Sequence, residues 1–170
     1  MTPPVPHSRA RGESGVALVE FALILPLLML LLLGMLDFGR AFNYWIDQTH
    51  IANEGSRWAI VNTNPGTGGQ TLQKYLQCSA NTTELKNGGT SSVPDPLTVN
   101  IEFLGALAVG QPVKVTASTT FNLIPFIGDA ASNLTGLNLA ASSTMRLEQP
   151  PPYVYSLGAG GTGPGGTACP

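Results

Sequence analysis

A single carboxylate, Glu20, stands inside an apolar stretch that runs from Val16 to Leu36. An acidic side chain at the centre of a membrane helix opposes insertion by roughly 2.5–3.5 kcal/mol, and by less within one turn of the interface. Glu20 follows Gly15 by five residues and lies beyond two basic residues, Arg9 and Arg11. Its position alone allows a side chain that extends to the lipid headgroups or one that interacts favourably with the positive end of the helix dipole.

No catalytic or metal-binding pattern accompanies this carboxylate. The Gly-rich segment 158–166 lacks the lysine and the following helix of a phosphate-binding loop. Cys78, Cys169, His7 and His50 are too widely spaced in the sequence to form a ligand cluster. Charged residues make up 11% of the chain and the net charge is −2, so no basic surface for nucleic acid is expected. We therefore predict a protein that is not an enzyme and that holds no metal, cofactor or nucleic acid.

The apolar stretch has the length of a membrane-spanning helix. At about 1.5 Å per residue, Val16–Leu36 covers the roughly 30 Å hydrocarbon layer. Arg9 and Arg11 precede it, so the positive-inside rule places the N-terminus in the cytoplasm and the rest of the chain outside. Pro26 lies within the stretch, and we interpret it as an ordinary kink rather than a switch. The sequence predicts a single-pass cell-membrane protein.

The helical pattern continues past the membrane segment. Apolar residues recur at three- and four-residue steps up to Ile60 and predict one helix from Val16 to Val61. The segment 62–66 should end it, because proline cannot continue a helix and Asn or Gly accepts the left-handed cap. Three aromatic residues belong either to an interfacial belt or to the seam against an outer domain: Trp45, Tyr44 and Phe42. We favour the belt for the first of them and the seam for the rest.

The outer part of the chain carries three segments of alternating apolar and polar residues, 97–103, 112–121 and 137–147. This period of two predicts three antiparallel strands packed on the emergent helix. The apolar segment 123–129, a loop or short helix, either covers the sheet or forms an exposed docking patch, and we favour the cover. The predicted fold class is α+β, with a long N-terminal helix followed by a small antiparallel sheet domain.

These patterns divide the chain into five parts. They are a cytoplasmic leader (1–15), a transmembrane segment (16–36), an emergent helix (37–61), an extracytoplasmic β-rich domain (62–149) and a flexible Pro/Gly-rich tail (150–170). Cys78 and Cys169 both fall on the non-cytoplasmic side, where disulfides form. They either pair and tie the tail back to the region after the helix, or leave Cys169 free, and we favour the pair.

Three ordered segments of the first third carry a wider pattern: residues 11–26, Asp37-Phe38-Gly39-Arg40, and residues 52–59. Together they resemble the TadE-like family, the pseudopilins of tight-adherence (Flp-type) pilus systems. Residues 139–148 resemble the closing strand of such proteins. The positions that carry the resemblance are Gly15, Val16, Glu20, Phe21, Pro26, Asp37, Gly39, Arg40, Glu54, Gly55 and Arg57.

The resemblance implies a pilin-like fold and a leader that a prepilin peptidase removes after Gly15. Glu20 would then compensate the new amine of Val16, with Phe21 beside it at the assembly surface. It further implies a minor pilin or pseudopilin that acts in assembly of a Tad pilus for adhesion or secretion. The partners expected are other pilins, assembly-platform proteins and membrane lipid. The alternative is an uncleaved single-span membrane protein with an extracytoplasmic partner-binding domain.

Overall fold

A computed structural model describes residues 10–67, 70–123, 136–149 and 169, with side chains described from residue 15 onward. It contains the helices α1 (Ala10–Ile60), α2 (Leu72–Cys78) and α3 (Thr83–Asn87) and the strands β1 (Thr98–Phe103), β2 (Pro112–Phe121) and β3 (Leu137–Arg146). The chain divides into two compact units, Met1–Phe38 and Gly39–Pro170. A long N-terminal helix is thus followed by a small antiparallel sheet, which confirms the predicted α+β class.

Helix α1 is continuous over 51 residues, including Pro26, and has a length of about 77 Å at 1.5 Å per residue. It begins at Ala10 instead of Val16, since no proline interrupts the chain just before the apolar stretch. It ends where the Asn-Pro-Gly segment predicts. Asn62 has a left-handed φ of 51°, and the N–H of Thr63 donates to the Trp58 carbonyl at 3.2 Å, which caps the final turn.

Two short helices follow that the sequence did not predict. The hydroxyl of Thr71 accepts the Lys74 N–H at 3.2 Å and caps the start of α2. Thr82 caps α3 in the same way by accepting the Leu85 N–H at 3.4 Å. Threonine is a preferred residue at this position because its side chain satisfies an otherwise unpaired backbone donor. The region 62–149, predicted as β-rich, therefore also contains helix.

The three strands form one antiparallel sheet in the order β1-β2-β3. Ile101 pairs with Val115, which pairs with Ser143 on its other side. Residues of the central strand β2 alternate between intermediate and buried along its whole length. This matches the period of two that predicted the strands, and the bounds of β2 are those expected.

The core of the unit Gly39–Pro170 lies between the sheet and the second half of α1. Tyr44 of α1 packs on Phe121 of β2, with ring centroids 5.7 Å apart. Ala59 of α1 and Leu76 of α2 are fully buried in the same cluster. Of the aromatic residues considered for a belt or a seam, Tyr44 is therefore in the seam, whereas Trp45 and Phe42 are both exposed. The expectation that two of the three lie in the seam is wrong. The segment 123–129, predicted to cover the sheet, lies mostly outside the described residues. The same is true of the tail, apart from Cys169.

Candidate functional site

The predicted processing and assembly segment lies in the N-terminal part of α1. Gly15, Val16, Glu20 and Phe21 are all exposed. A Cβ built on Gly15 would have no heavy atom within 4 Å. The segment is therefore accessible to lipid or to other proteins.

The apolar half of α1 is likewise exposed. Among the described residues, α1 is the helix that is long and apolar enough to cross a membrane, with a mean hydropathy of 2.8 over its most apolar window and none of that window buried. Leu18 and Leu23 are examples, at 70% and 75% exposure. Water strongly disfavours apolar side chains exposed in such numbers. The helix is consistent with a single-pass membrane protein.

The second motif segment, Asp37 to Arg40, lies farther along α1. Asp37 is buried, whereas Gly39 and Arg40 are exposed. Nη2 of Arg40 lies 3.6 Å from Oε1 of Glu84 in α3, and both side chains are partly exposed. A pair of this kind contributes at most about 1 kcal/mol, so it orients α3 more than it stabilises the fold.

The third motif segment divides between the interior and the surface of the molecule. A Cβ on Gly55 would lie 2.7 Å from Cδ1 of Leu76 and 3.0 Å from Cγ1 of Val115, so glycine allows α1 to approach α2 and β2. Glu54 accepts the indole N–H of Trp58 at 3.3 Å, and Arg57 is exposed. Gly55 thus serves packing, while its neighbours remain available at the surface.

The outward side of this part of α1 borders a groove of about 790 Å³. Glu54 and Arg57 line it together with the rings of Trp45, His50 and Trp58. The structure therefore brings two of the predicted motif residues onto one surface of mixed apolar and charged character. The other motif residues are spread along α1 and do not converge on this groove.

Three polar residues of the buried side of α1 were not recognised in the sequence. Both carboxylate oxygens of Asp47 accept hydrogen bonds from Asn81, one from its backbone N–H at 2.9 Å and one from its side chain at 2.7 Å. The Ser56 hydroxyl donates to the Ala52 carbonyl at 2.7 Å and lies 3.3 Å from that of Ser143 in β3. Gln48 is fully buried. The sequence does contain a signal for their burial: they are spaced from Tyr44 and Ile51 so that they lie on the same face of the helix.

Cys78 and Cys169 form a disulfide, with an S–S distance of 2.05 Å and a Cα–Cα distance of 5.3 Å. The N–H of Cys169 also donates to Oδ1 of Asn87 at 2.8 Å. Cys169 is thereby held beside α2 and α3. Within the described ranges, no group of three or more His, Cys, Asp or Glu residues is arranged to hold a metal ion.

Comparison with known proteins gives one family match. No curated protein and no solved structure matches the chain significantly. The match covers 43 of the 170 residues and lies entirely on α1. It includes Gly15, Glu20, the Asp37–Arg40 segment and Gly55. Over residues 15–57, the chain matches the family described as TadE-like protein.

Proposed function

We propose that the protein is a minor pilin or pseudopilin that is processed after Gly15 and acts in assembly of a Tad pilus for adhesion or secretion. The observation that carries this proposal is the TadE-like match, which begins at Gly15 and covers a helix whose apolar half is exposed. In this arrangement the N-terminus is cytoplasmic and the sheet unit is extracytoplasmic. Other pilins, assembly-platform proteins and a prepilin peptidase are the partners.

The exposed apolar half of α1 supports a two-stage arrangement. Lipid first surrounds the helix as a membrane anchor, and neighbouring pilin helices then replace the lipid during assembly. Cleavage after Gly15 creates a positive amine on Val16, one helical turn from the exposed carboxylate of Glu20. Removing one partner of a charge pair in an apolar environment leaves the other uncompensated, which is costly. Glu20 therefore matters for assembly more than for processing.

N-terminal sequencing of protein isolated from cells tests the processing step. Wild-type protein and the Glu20→Ala variant should both begin at Val16, whereas Gly15→Ala should retain residues of the leader. The Glu20→Ala and Glu20→Val variants should lose pili while remaining processed. A wild-type protein that begins at Met1 or Thr2 would exclude the prepilin mechanism. Normal piliation of both Glu20 variants would exclude the charge-pair role.

An uncleaved single-span protein with a partner-binding outer unit is the second candidate. One observation favours it: α1 begins at Ala10, so Gly15 lies inside a helix. Proteolytic cleavage prefers accessible, irregular backbone, and the leader would have to unwind locally to be cut. The same N-terminal sequencing distinguishes this candidate from the first.

The position of the protein in the pilus is tested separately. Immunogold labelling of sheared pili should place a minor pilin sparsely on the fibre or at its tip. Label confined to the cell envelope would instead indicate a role at the base of the assembly machinery.

A further inference from the structure

The loop between β1 and β2 is apolar and exposed. From Phe103 to Gly110 it contains no side chain that carries a charge or forms hydrogen bonds. Leu104, Leu107 and Val109 are 57%, 46% and 59% exposed. We call residues 104–109 the hairpin tip. Most loops at the surface are polar, so three exposed aliphatic side chains in six residues need a reason.

The hairpin tip is held in place by backbone hydrogen bonds at its base. The N–H of Leu104 donates to the Pro112 carbonyl at 3.1 Å, and the N–H of Gly110 donates to the Leu147 carbonyl at 2.8 Å. The Arg146 guanidinium donates to the Gly110 carbonyl at 2.9 Å. Gly110 has a φ of 86°, which glycine adopts without strain. The aliphatic side chains are therefore presented by a fixed base.

The charged side chains that flank the hairpin tip along the strands, within the part of the chain that the structure describes, balance one another. Glu102 of β1 is the cross-strand neighbour of Lys114 in β2. Arg146 ends β3 and Glu148 lies two residues beyond it, and both are exposed. Two acidic and two basic side chains at the base give no net electrostatic preference for a charged partner. The attraction that the tip offers is therefore apolar.

We infer that the hairpin tip is a membrane-contact element that inserts Leu104, Leu107 and Val109 into a lipid surface. A stable protein interface buries about 800 Å² on each partner and uses roughly 20–30 residues a side. The tip is far smaller and lacks the Trp, Tyr or Arg anchors that dominate protein interfaces. Aliphatic side chains form no hydrogen bonds or ion pairs, so they instead match an apolar environment without specific contacts. The outer part of a lipid bilayer provides such an environment.

An environment-sensitive fluorophore on the tip tests this inference. Ala106→Cys is labelled with the fluorophore in the full chain, with the native disulfide oxidised, and the protein is reconstituted in nanodiscs. Emission is measured before and after addition of vesicles of phosphatidylcholine alone or with phosphatidylglycerol. We expect a blue shift and quenching by lipid-borne quenchers, whether the contacted bilayer is the nanodisc or the added vesicle. Because the charges balance, both vesicle compositions should act equally.

Matched variants separate tip insertion from a general effect. In Leu104→Ser/Leu107→Ser/Val109→Ser, lipid partitioning should fall roughly tenfold or more, since each apolar side chain contributes to transfer. Leu137→Ser removes an exposed apolar residue at the other end of the sheet and should leave partitioning unchanged. Both variants are checked for an unchanged thermal unfolding midpoint. The same fluorophore on Asn138→Cys, in the otherwise native chain, measures the emission change that does not depend on the hairpin tip.

Two outcomes would overturn the inference. One is emission from the tip label that equals that of the Asn138 label with both vesicle compositions, which would leave a protein partner as the occupant. The other is contact that requires phosphatidylglycerol and disappears in high salt, which would indicate electrostatic adsorption instead of apolar insertion. Neither outcome depends on cleavage after Gly15, so the inference and the proposed function fail independently.

Discussion

Two glycines of α1, Gly39 and Gly55, have opposite surroundings. A Cβ on Gly55 would meet the side chains of Leu76 and Val115, which are both fully buried and have little room to move. A Cβ on Gly39 would have no neighbour within 4 Å. Packing within the chain therefore explains glycine at 55 and does not explain it at 39.

The Gly55→Ala substitution should lower the free energy of unfolding by about 1–3 kcal/mol, because the added methyl group overpacks the core. The Gly39→Ala control should raise the free energy of unfolding by about 0.5–1 kcal/mol, because alanine favours an exposed helix. Chemical denaturation of the full chain in detergent measures both. Equal effects of the two substitutions would contradict the packing role of Gly55.

Gln48 is a second residue whose effect on the free energy of unfolding can be measured. It is fully buried, and neither Oε1 nor Nε2 has a hydrogen-bond partner among the residues that the structure describes. Because an unpaired buried polar group costs about 1–3 kcal/mol, Gln48→Met should stabilise the protein by about 1 kcal/mol or more. The control is Gln77→Met, since the Gln77 side chain donates to the Lys86 carbonyl at 2.7 Å. Gln77→Met should be destabilised. In thermal unfolding, the midpoint should therefore rise for Gln48→Met and fall for Gln77→Met, relative to the wild type.

At the scale of elements, Asp47 connects α1 to the turn between α2 and α3. Its carboxylate accepts both hydrogen bonds from Asn81 and is 5% exposed. Since hydrogen bonds to a buried charge are strong, Asp47→Ala should lower the free energy of unfolding by about 2–3 kcal/mol. The exposed Asp95 provides the control, and Asp95→Ala should change stability by less than about 0.5 kcal/mol. Hydrogen exchange should show whether α3 opens first in the Asp47 variant.

The elements differed in how well the sequence predicted them. β2 alternates over ten residues, and α1 is periodic over many turns, so both produced a strong local signal. Helices α2 and α3 are seven and five residues long, which is too short for a periodic pattern or for independent stability. Their threonine caps and buried leucines hold them, and the buried leucines depend on contacts that are distant in sequence.

The Cys78–Cys169 disulfide closes a loop with a sequence separation of 91 residues. In the chain-entropy description, a closed loop of this length stabilises the folded state by about 4.6 kcal/mol. The double variant Cys78→Ser/Cys169→Ser should therefore lose stability in a denaturant titration. Adding reductant should destabilise the wild type to the same level and leave the double variant unchanged. A reductant effect on the double variant would assign the loss to another cause.

Local sequence patterns were enough to predict the long apolar helix, its end near Asn62, the three strands and the TadE-like motif, because each depends on residues close together in the chain. The tertiary structure was needed to show that Tyr44 and Asp47 face the core while Trp45 faces outward. It also decided that Cys169 reaches Cys78, and that Gly55 allows close packing where Gly39 does not. Periodicity shows that a helix has two faces. Which face is buried depends on the elements that pack against it, and those contacts join residues far apart in the sequence.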